Sequence, residues 1–177
     1  MERKRMKLNG TNSTIGPVRY TWYQSPIGPL LLASVDSKLK LVSFAAGKHA
    51  RDVDADWIED GSAFAEIIHQ LRRYFAGELK SFDLPLQLEG TTFQKKIWTA
   101  LKNIPYGETI SYKTLAQRVG SPKAVRAVGA ANGANPIPII IPCHRVIGND
   151  GRLTGFGGGL PLKKRLLELE SRQMTLL

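Results

Sequence analysis

Residues 111–133 read SYKTLAQRVGSPKAVRAVGAANG, a stretch in which a glycine separates two short helical segments. Ser111 is a good N-cap for a helix over 112–119, because its hydroxyl can accept a hydrogen bond from an amide of the first turn. Gly120 breaks that helix, and Ser121 followed by proline predicts the start of a second one. Two helices joined by a tight turn indicate a helix-turn-helix, in which the second helix meets DNA.

The second predicted helix has an unusual surface. Arg126 is a single long side chain among the small residues of 124–131. The backbone of such a helix can approach a partner closely, whereas an ordinary recognition helix presents several long polar side chains to the major groove. Tight packing against a neighbouring helix would explain the same composition, so both interpretations remain open on composition alone.

The first half of the chain predicts a sheet. Turn residues separate extended segments at 20–24, 30–35 and 39–44, which is typical of a β-meander. Apolar residues at helical spacing over 62–75 predict one helix that packs on this sheet. We expect a basic, polar tail over 1–19 and an N-terminal α/β domain over 20–89.

The second half predicts a mostly helical domain over 90–177. Besides the helix-turn-helix, helices are expected over 92–103 and 161–173. Between them, three prolines in the apolar run 135–142 exclude a helix and predict a rigid segment that leads into Cys143.

Composition excludes several classes of protein. The chain has 177 residues, 42% hydrophobic and 23% charged, which argues against intrinsic disorder, coiled-coil arrays and collagen-like repeats. No apolar run is long enough to span a bilayer. Cys143 is the single cysteine and cannot form an internal disulfide, so we expect a reducing, cytoplasmic setting and no membrane partner.

Positive charge is concentrated in the second half. The net charge is +10, and residues 91–177 hold 13 basic and 4 acidic groups. A localised positive surface attracts polyanions, so nucleic acid is the leading class of partner. Solubility alone would explain the same asymmetry.

The neighbours of Cys143 suggest nucleophilic chemistry. A lone cysteine is usually an inert core residue, and a free thiol with a pKa of about 8.5 needs a nearby base to react at neutral pH. His144 follows directly, and Glu170 lies at the edge of the buried face of the last helix, where a carboxylate needs a partner. Carboxylate, imidazole and thiol together would form a relay of the triad type.

The motif Ile141-Pro142-Cys143-His144-Arg145-Val146, preceded by Arg126-Ala127-Val128-Gly129 and Asn135-Pro136, resembles the active-site region of the O6-alkylguanine-DNA alkyltransferases. The resemblance extends from Gly90 to Glu170, and the segment from Ser25 to Leu30 is similar to the start of that family's N-terminal domain. It implies an α/β protein with a small ribonuclease H-like sheet-plus-helix domain, followed by a winged helix-turn-helix-like catalytic domain.

The resemblance implies a DNA repair protein that flips O6-alkylguanine out of duplex DNA and transfers the alkyl group irreversibly to Cys143. His144 would accept the thiol proton through a water, Glu170 would hold His144, Asn135 would lie at a hinge, and Tyr112 would donate a proton toward the purine. The implied DNA-binding residues are Arg126, which fills the gap left by the flipped base, and Ala127, Ala130, Lys113, Ser121, Phe93 and Asn149.

The implied base pocket consists of Val146, Phe156, Gly157 and Gly158, where Val146 and Cys143 would recognise the exocyclic amine through their carbonyls. No metal and no cofactor are expected. The implied partner is double-stranded DNA with O6-alkylguanine, with O4-alkylthymine as a second candidate lesion. The protein is expected to act as a monomer, and cooperative binding along DNA is left open.

One pair departs from the family pattern. Many members have a tyrosine and then a serine or another small residue where this chain has Phe156-Gly157, so both hydroxyls are missing. Our hypothesis is that Gly157 widens the pocket and favours larger alkyl groups.

Three other functions explain the sequence less completely. Alkyltransferase-like proteins bind lesions without repairing them, but carry another residue in place of Cys143. A transcription factor would not explain the Cys143, His144 and Glu170 set, and a cysteine hydrolase would not explain the basic half. His49 and His69 are expected to be ordinary surface or helix residues, because no ligand spacing surrounds them.

Overall fold

A computed structural model of the chain describes residues 16–175, with side chains as far as residue 172. Residues 1–15 of the expected basic tail lie outside the described residues. No helix in the described range is long and apolar enough to cross a membrane.

The N-terminal half forms a four-stranded sheet with the order β3-β2-β1-β4. Its strands are β1 (Arg19–Ser25), β2 (Gly28–Val35), β3 (Lys38–Phe44) and β4 (Ile58–Glu59). β1, β2 and β3 form the expected antiparallel meander, and β4 pairs parallel to β1. The β2–β3 turn is tight because Asp36 and Ser37 both adopt positive φ, of 48° and 60°. The two-residue strand β4 was not predicted.

The expected helix packs on this sheet. A 3-10 turn at Gly61–Phe64 leads into α1 (Ala65–Phe75), and the Asp60 side chain caps the turn. Phe64, Leu71 and Tyr74 of this segment are fully buried. The edge of β3 is covered by later segments, because Leu39 pairs with 85–87 and the amide of Val42 donates to the Pro136 carbonyl at 3.0 Å. The second of these bonds joins the sheet to the loop that leads into Cys143.

The C-terminal half opens with α2 (Thr92–Lys102), which begins in a capping box of Thr91 and Gln94. The indole of Trp98 in α2 donates to the Ala131 carbonyl at 2.8 Å and so links α2 to the second helix of the helix-turn-helix. That motif consists of α3 (Tyr112–Arg118) and α4 (Val125–Gly133), and Ser111 caps α3 as predicted.

The start of α4 differs from the prediction. Ser121 does not cap it: the N-cap is Ala124, whose amide donates to the Ser121 carbonyl at 2.9 Å. Residues 121–124 therefore form a turn of their own, and α4 begins three residues after the predicted first position. The Ala124 amide is already satisfied by the Ser121 carbonyl within this local turn, so the backbone here does not depend on a cap from the Ser121 hydroxyl.

The chain then forms a 3-10 turn at Cys143–Arg145, the strand β6 (Val146–Ile147) parallel to β5 (Ile110–Ser111), and the helix α5 (Leu160–Thr175). Leu162, Leu166 and Leu169 of α5 pack against the core, and Leu166 is fully buried. Lys163 and Glu170 are fully buried as well. The buried face of α5 therefore includes two charged side chains, those of Lys163 and Glu170.

Candidate active site

The loop before Cys143 is held by Asn135. Its amide nitrogen donates to the Ile141 carbonyl at 2.7 Å, and its amide oxygen accepts from the backbone of Ile137 at 3.0 Å. Within this loop Ile139 has a φ of 75°, which is strained for a β-branched residue. Asn135 therefore closes a strained loop whose end presents Cys143, consistent with the hinge position implied for it.

Cys143 is buried, with 5% of its surface exposed. Burial raises the pKa of its thiol above the ordinary value, while the Asn135 side chain, the charge of Lys163 and the amides of the 3-10 turn act in the opposite direction. The resting sulfur is therefore a protonated thiol at neutral pH, and a reaction requires a proton acceptor.

His144 has the properties of that acceptor. It is fully buried, and burial lowers the pKa of its imidazole, with Glu170 only partly opposing the effect. Its Nε2 lies 2.8 Å from Oε1 of Glu170. Because an ionised carboxylate only accepts hydrogen bonds, Nε2 carries the proton and Nδ1 carries the lone pair. Nδ1 has no hydrogen-bond partner among the described residues.

Glu170 is fully buried and accepts five hydrogen bonds. Besides His144, its partners are the Tyr74 hydroxyl at 2.7 Å, the Gly107 amide at 3.0 Å, and Nε and Nη2 of Arg145, each at 2.9 Å. Burial disfavours the charge, but these bonds and the positive charges outweigh it and hold the pKa of Glu170 at about 2. The carboxylate is therefore ionised at all physiological pH values.

Two of the side chains that bond Glu170 were not identified from sequence. Arg145 belongs to the recognised motif, yet no role was assigned to it; it is buried and also donates to the Ile104 carbonyl at 2.6 Å. Tyr74 comes from α1 of the other domain, 96 residues before Glu170. No local pattern could have connected Tyr74 with Glu170.

Lys163 is a further buried residue that sequence reasoning missed. Its ammonium donates to the carbonyls of Val146 at 2.6 Å, Thr154 at 2.7 Å and Gly155 at 3.4 Å. Burial lowers its pKa to about 8. The spacing of Lys163, Leu166 and Glu170 by three and four residues was the available signal, because it places all three on one helical face. Lys163 thus fixes the loop that carries Phe156 and Gly157.

A cavity of about 230 Å³ opens onto Cys143. One wall belongs to the N-terminal domain and includes Phe44, His49 and Arg51; the other runs from Asn132 through Pro138 and from Gly155 to Gly157. Val146 does not line this cavity, although its carbonyl is held by Lys163. The site is therefore built between the two domains.

His49 is exposed, as expected of a surface residue, and it also lines this wall. A Cβ added at Gly157 would lie 3.1 Å from the His49 ring, and one added at Gly158 would lie 2.8 Å from the Phe44 ring. Phe44 also packs against Phe156, with ring centroids 5.4 Å apart. The glycines at 157 and 158 thus make room for side chains of the N-terminal domain.

Tyr112 lies at the mouth of the site. Its hydroxyl donates to the Thr154 carbonyl at 3.3 Å, and burial raises its pKa, so the phenol remains protonated. It lines a neighbouring cavity together with Ala130 and Gly155–Gly157. Asn132, which was not predicted, is buried beside it and donates to the Cys143 carbonyl at 3.5 Å.

The other residues implied in DNA binding lie on the helical domain. Arg126, Ala127 and Ala130 are exposed on α4, and Lys113 is exposed on α3. The remaining three are Ser121, which is half-buried in the turn before α4; Phe93, which is half-buried against the core; and Asn149, which is exposed after β6.

The arrangement supports thiol chemistry. The protonated thiol of Cys143 lines the cavity between the two domains, and the neutral imidazole of the next residue, His144, is hydrogen-bonded to the ionised carboxylate of Glu170. Among residues 16–172, no group of three His, Cys, Asp or Glu side chains could hold a metal ion. The site can deprotonate Cys143 and direct it at an electrophile in the cavity.

Comparisons with known proteins agree on one family. Two family models match the chain: the ribonuclease-like domain of 6-O-methylguanine DNA methyltransferase over residues 18–88, and the DNA binding domain of the same protein over residues 92–172. The methylated-DNA–protein-cysteine methyltransferase of Methanosarcina acetivorans is 56% identical and covers 85% of this chain and 97% of its own. The protein of the same name from Mycobacterium tuberculosis is 51% identical and covers 86% of this chain and 92% of its own.

Solved structures lead to the same conclusion. A crystal structure of Mycobacterium tuberculosis OGT in complex with DNA has a TM-score of 0.82 and 50% identity over 88% of this chain and 94% of that chain. The O6-methylguanine-DNA methyltransferase of Pyrococcus kodakaraensis has a TM-score of 0.64 at 26% identity, over 86% of this chain and 98% of that chain. The chain belongs to the 6-O-methylguanine DNA methyltransferase family.

Proposed function

We propose that this protein repairs duplex DNA by transferring the alkyl group of O6-alkylguanine to Cys143, once per molecule. The observation that carries the proposal is a buried Cys143 thiol followed directly in the chain by a neutral His144, whose Nδ1 has no hydrogen-bond partner among the described residues. Family membership supplies the reaction class, and the geometry of Cys143, His144 and Glu170 supports these residues as its machinery.

DNA binding would use the exposed face of α4. Because Ala127 and Ala130 have small side chains, the backbone of α4 can approach the floor of the minor groove. Arg126 is long enough to fill the gap left by an extruded base. Lys113, Ser121 and Asn149 are placed on neighbouring segments for phosphate contacts, and Phe93 would support them from the core side.

The extruded base would enter the cavity between the domains. Phe156 offers an apolar face, and the amides of Gly157 and Gly158 can donate toward O6 in place of the missing hydroxyls. The Cys143 carbonyl would recognise the exocyclic amine in place of its long contact with Asn132, which is 3.5 Å, whereas Val146 does not line the cavity. O4-alkylthymine lacks that amine, so guanine lesions are the better substrates.

The transfer is a single displacement. The thiol proton passes through a water to Nδ1 of His144, and the sulfur attacks the alkyl carbon. A carbon–sulfur bond forms as the carbon–O6 bond breaks, and the electron pair of that bond leaves with the purine. Tyr112 assists by donating a hydrogen bond to the departing purine, whose negative charge is neutralised by the proton taken from the thiol.

The product is a thioether, which is a poor leaving group. Each molecule therefore acts once. We further propose that the protein acts as a monomer inside the cell, with the domain boundary near residue 89.

Mass spectrometry tests the proposal. After incubation with a duplex that contains one O6-methylguanine, the Cys143 peptide should gain one methyl group per protein. Cys143→Ala should gain none, and an undamaged duplex should modify neither. Binding of the damaged duplex without modification of Cys143 would contradict the proposal and favour a lesion-binding protein.

A further inference from the structure

A buried hydroxyl from the N-terminal domain reaches the catalytic carboxylate. Tyr74 lies in α1, is fully buried, and donates to Oε1 of Glu170 at 2.7 Å. Its ring meets Phe75 edge-on at 5.3 Å and Tyr106 edge-on at 5.9 Å. These contacts fix the ring, so the hydroxyl is held on Glu170 by packing as well as by the hydrogen bond.

Oε1 of Glu170 is a shared acceptor. Tyr74, Nε2 of His144 and Nη2 of Arg145 all lie within 2.9 Å of it. Burial, reinforced by the charge of Glu170, raises the pKa of Tyr74 well above its ordinary value, so this phenol is a permanent donor. Each donor on Oε1 withdraws part of the negative charge that would otherwise attract a proton to His144.

We propose, on the basis of the function above, that Tyr74 is a positioning residue for proton transfer from Cys143, because its hydroxyl orients Glu170 and keeps His144 neutral with Nδ1 free. The N-terminal domain thereby takes part in the chemistry through one atom, in addition to forming a wall of the cavity.

Other charged and titratable side chains also face His144 and Glu170. Arg145 and Tyr106 face Glu170 from the turn at 143–145 and the loop after α2, and Lys163 faces the site from α5. Cys143 is a protonated thiol on the acidic side of neutrality. Burial raises the pKa of Tyr106 to about 12 and lowers that of Lys163 to about 8, so both stay protonated between about pH 5 and 7, and His144 is the group whose titration Tyr74 controls in that range.

The test is Tyr74→Phe, which removes the hydroxyl and keeps the ring. Oε1 then loses one donor, its charge stabilises the imidazolium more strongly, and the pKa of His144 rises. Cys143 reactivity falls at low pH, where His144 is already protonated and can no longer accept the thiol proton. This acid limb of the pH profile should move to higher pH by roughly 0.5 to 1 unit.

Two readouts in the full-length protein measure this shift. One is the pH profile of Cys143 alkylation by iodoacetamide, which needs no DNA, and the other is the titration of the His144 ring by NMR. Tyr23→Phe is the matched control, because Tyr23 is a buried tyrosine of the same sheet domain that does not contact Glu170. Its profile should coincide with that of the wild type.

A lower stability of Tyr74→Phe with an unchanged acid limb would overturn the proposal and leave Tyr74 a merely structural residue. If Tyr74→Phe does not fold, 3-fluorotyrosine placed at position 74 tests the same idea with the opposite sign. Its more acidic hydroxyl donates more strongly and should move the acid limb to lower pH, and an unmoved limb would refute the proposal.

The failure of this inference is distinguishable from failure of the proposed function. If O6-methylguanine duplex leaves wild-type Cys143 unmodified, the function is wrong, yet the iodoacetamide profile still reports on Tyr74. If the duplex modifies Cys143 and the Tyr74 profile does not move, only the positioning role is wrong.

Discussion

Glu170 shows how one residue can organise a site. It is a buried anion with five donors, and removing one partner of a buried charge pair leaves the other uncompensated. The same carboxylate holds His144 for the chemistry and Arg145 for the fold. Stability and activity therefore depend on it together.

A pH dependence of stability follows from this carboxylate. Its pKa of about 2 in the folded protein lies below the ordinary value of 4.5, so Glu170 stabilises the fold above about pH 4.5 and ceases to do so as the pH falls toward 2. The shift corresponds to about 3 kcal/mol. Glu170→Gln cannot titrate, so its difference in unfolding free energy from the wild type should shrink by about that amount between pH 4.5 and 2.

Urea unfolding at several pH values measures this difference. At neutral pH, Glu170→Gln should be less stable than the wild type by roughly 3 to 5 kcal/mol, because Arg145 is left buried without its counter-charge. A gap between the two proteins that stays constant down to pH 2 would contradict the account.

At the scale of elements, α4 and the loop over 155–159 determine what can approach Cys143. The small residues of α4 leave its outer surface open, and the glycines of the loop leave room for Phe44 and His49. In both elements, small or missing side chains leave space that a neighbouring group can occupy.

The open surface of α4 predicts that Ala130→Leu weakens DNA binding without unfolding the protein. Ala130 is exposed, so a larger side chain meets no core atoms, but it keeps the helix from settling against DNA. Affinity for a damaged duplex, measured by fluorescence anisotropy, should fall at least tenfold. Ala65→Leu, an exposed substitution at the start of α1, is the control and should bind like the wild type.

The loop over 155–159 predicts a change in alkyl preference. In Gly157→Ser the new Cβ lies 3.1 Å from His49, so the wall must shift and the cavity should narrow. The ratio of benzyl to methyl transfer should then fall about tenfold, a range that differences in pocket size commonly produce. Combining Gly157→Ser with His49→Ala should restore the ratio, since the competing ring is gone. A ratio that is the same in all variants would refute both the wider pocket and the role of His49.

Local patterns predicted most of the fold and the centre of the site. The meander, the main helices and the Ser111 cap follow from short-range periodicity and turn chemistry, and the cluster of Cys143, His144 and Glu170 followed from the motif. Strands of two residues, such as β4 and β6, carry no periodicity. Ser121 as a cap was wrong because a turn at 121–124 competed with it, and the roles of Tyr74 and Lys163 depend on tertiary contacts that no sequence window contains.

On the scale of the whole molecule, both domains contribute residues to the site, but the net positive charge is concentrated in the helical domain. Residues 91–177 carry 13 basic and 4 acidic groups, whereas the N-terminal domain contributes cavity walls and Tyr74. The helical domain is therefore suited to binding DNA, and the sheet domain to completing the pocket behind it.

This division predicts a steep salt dependence of DNA binding. If Lys113 and about three other Lys or Arg side chains of the helical domain neutralise phosphates, affinity should fall by about 100-fold between 50 and 200 mM salt. Lys113→Ala should reduce the slope of log affinity against log salt by about 0.9, because one contact is lost. Iodoacetamide alkylation of Cys143 in the absence of DNA serves as the salt-insensitive control. A slope that Lys113→Ala leaves unchanged would remove Lys113 from the interface.

The long separation between partners in this site also bears on biosynthesis. Glu170 follows His144 by 26 residues and Tyr74 by 96, so a chain translated only as far as Arg145 already contains the nucleophile but not the carboxylate. Arg145 and His144 then have no anion to order them. Truncated translation products should consequently be unable to consume a lesion, and reactivity would be acquired only once the segment that forms α5 has left the ribosome and docked.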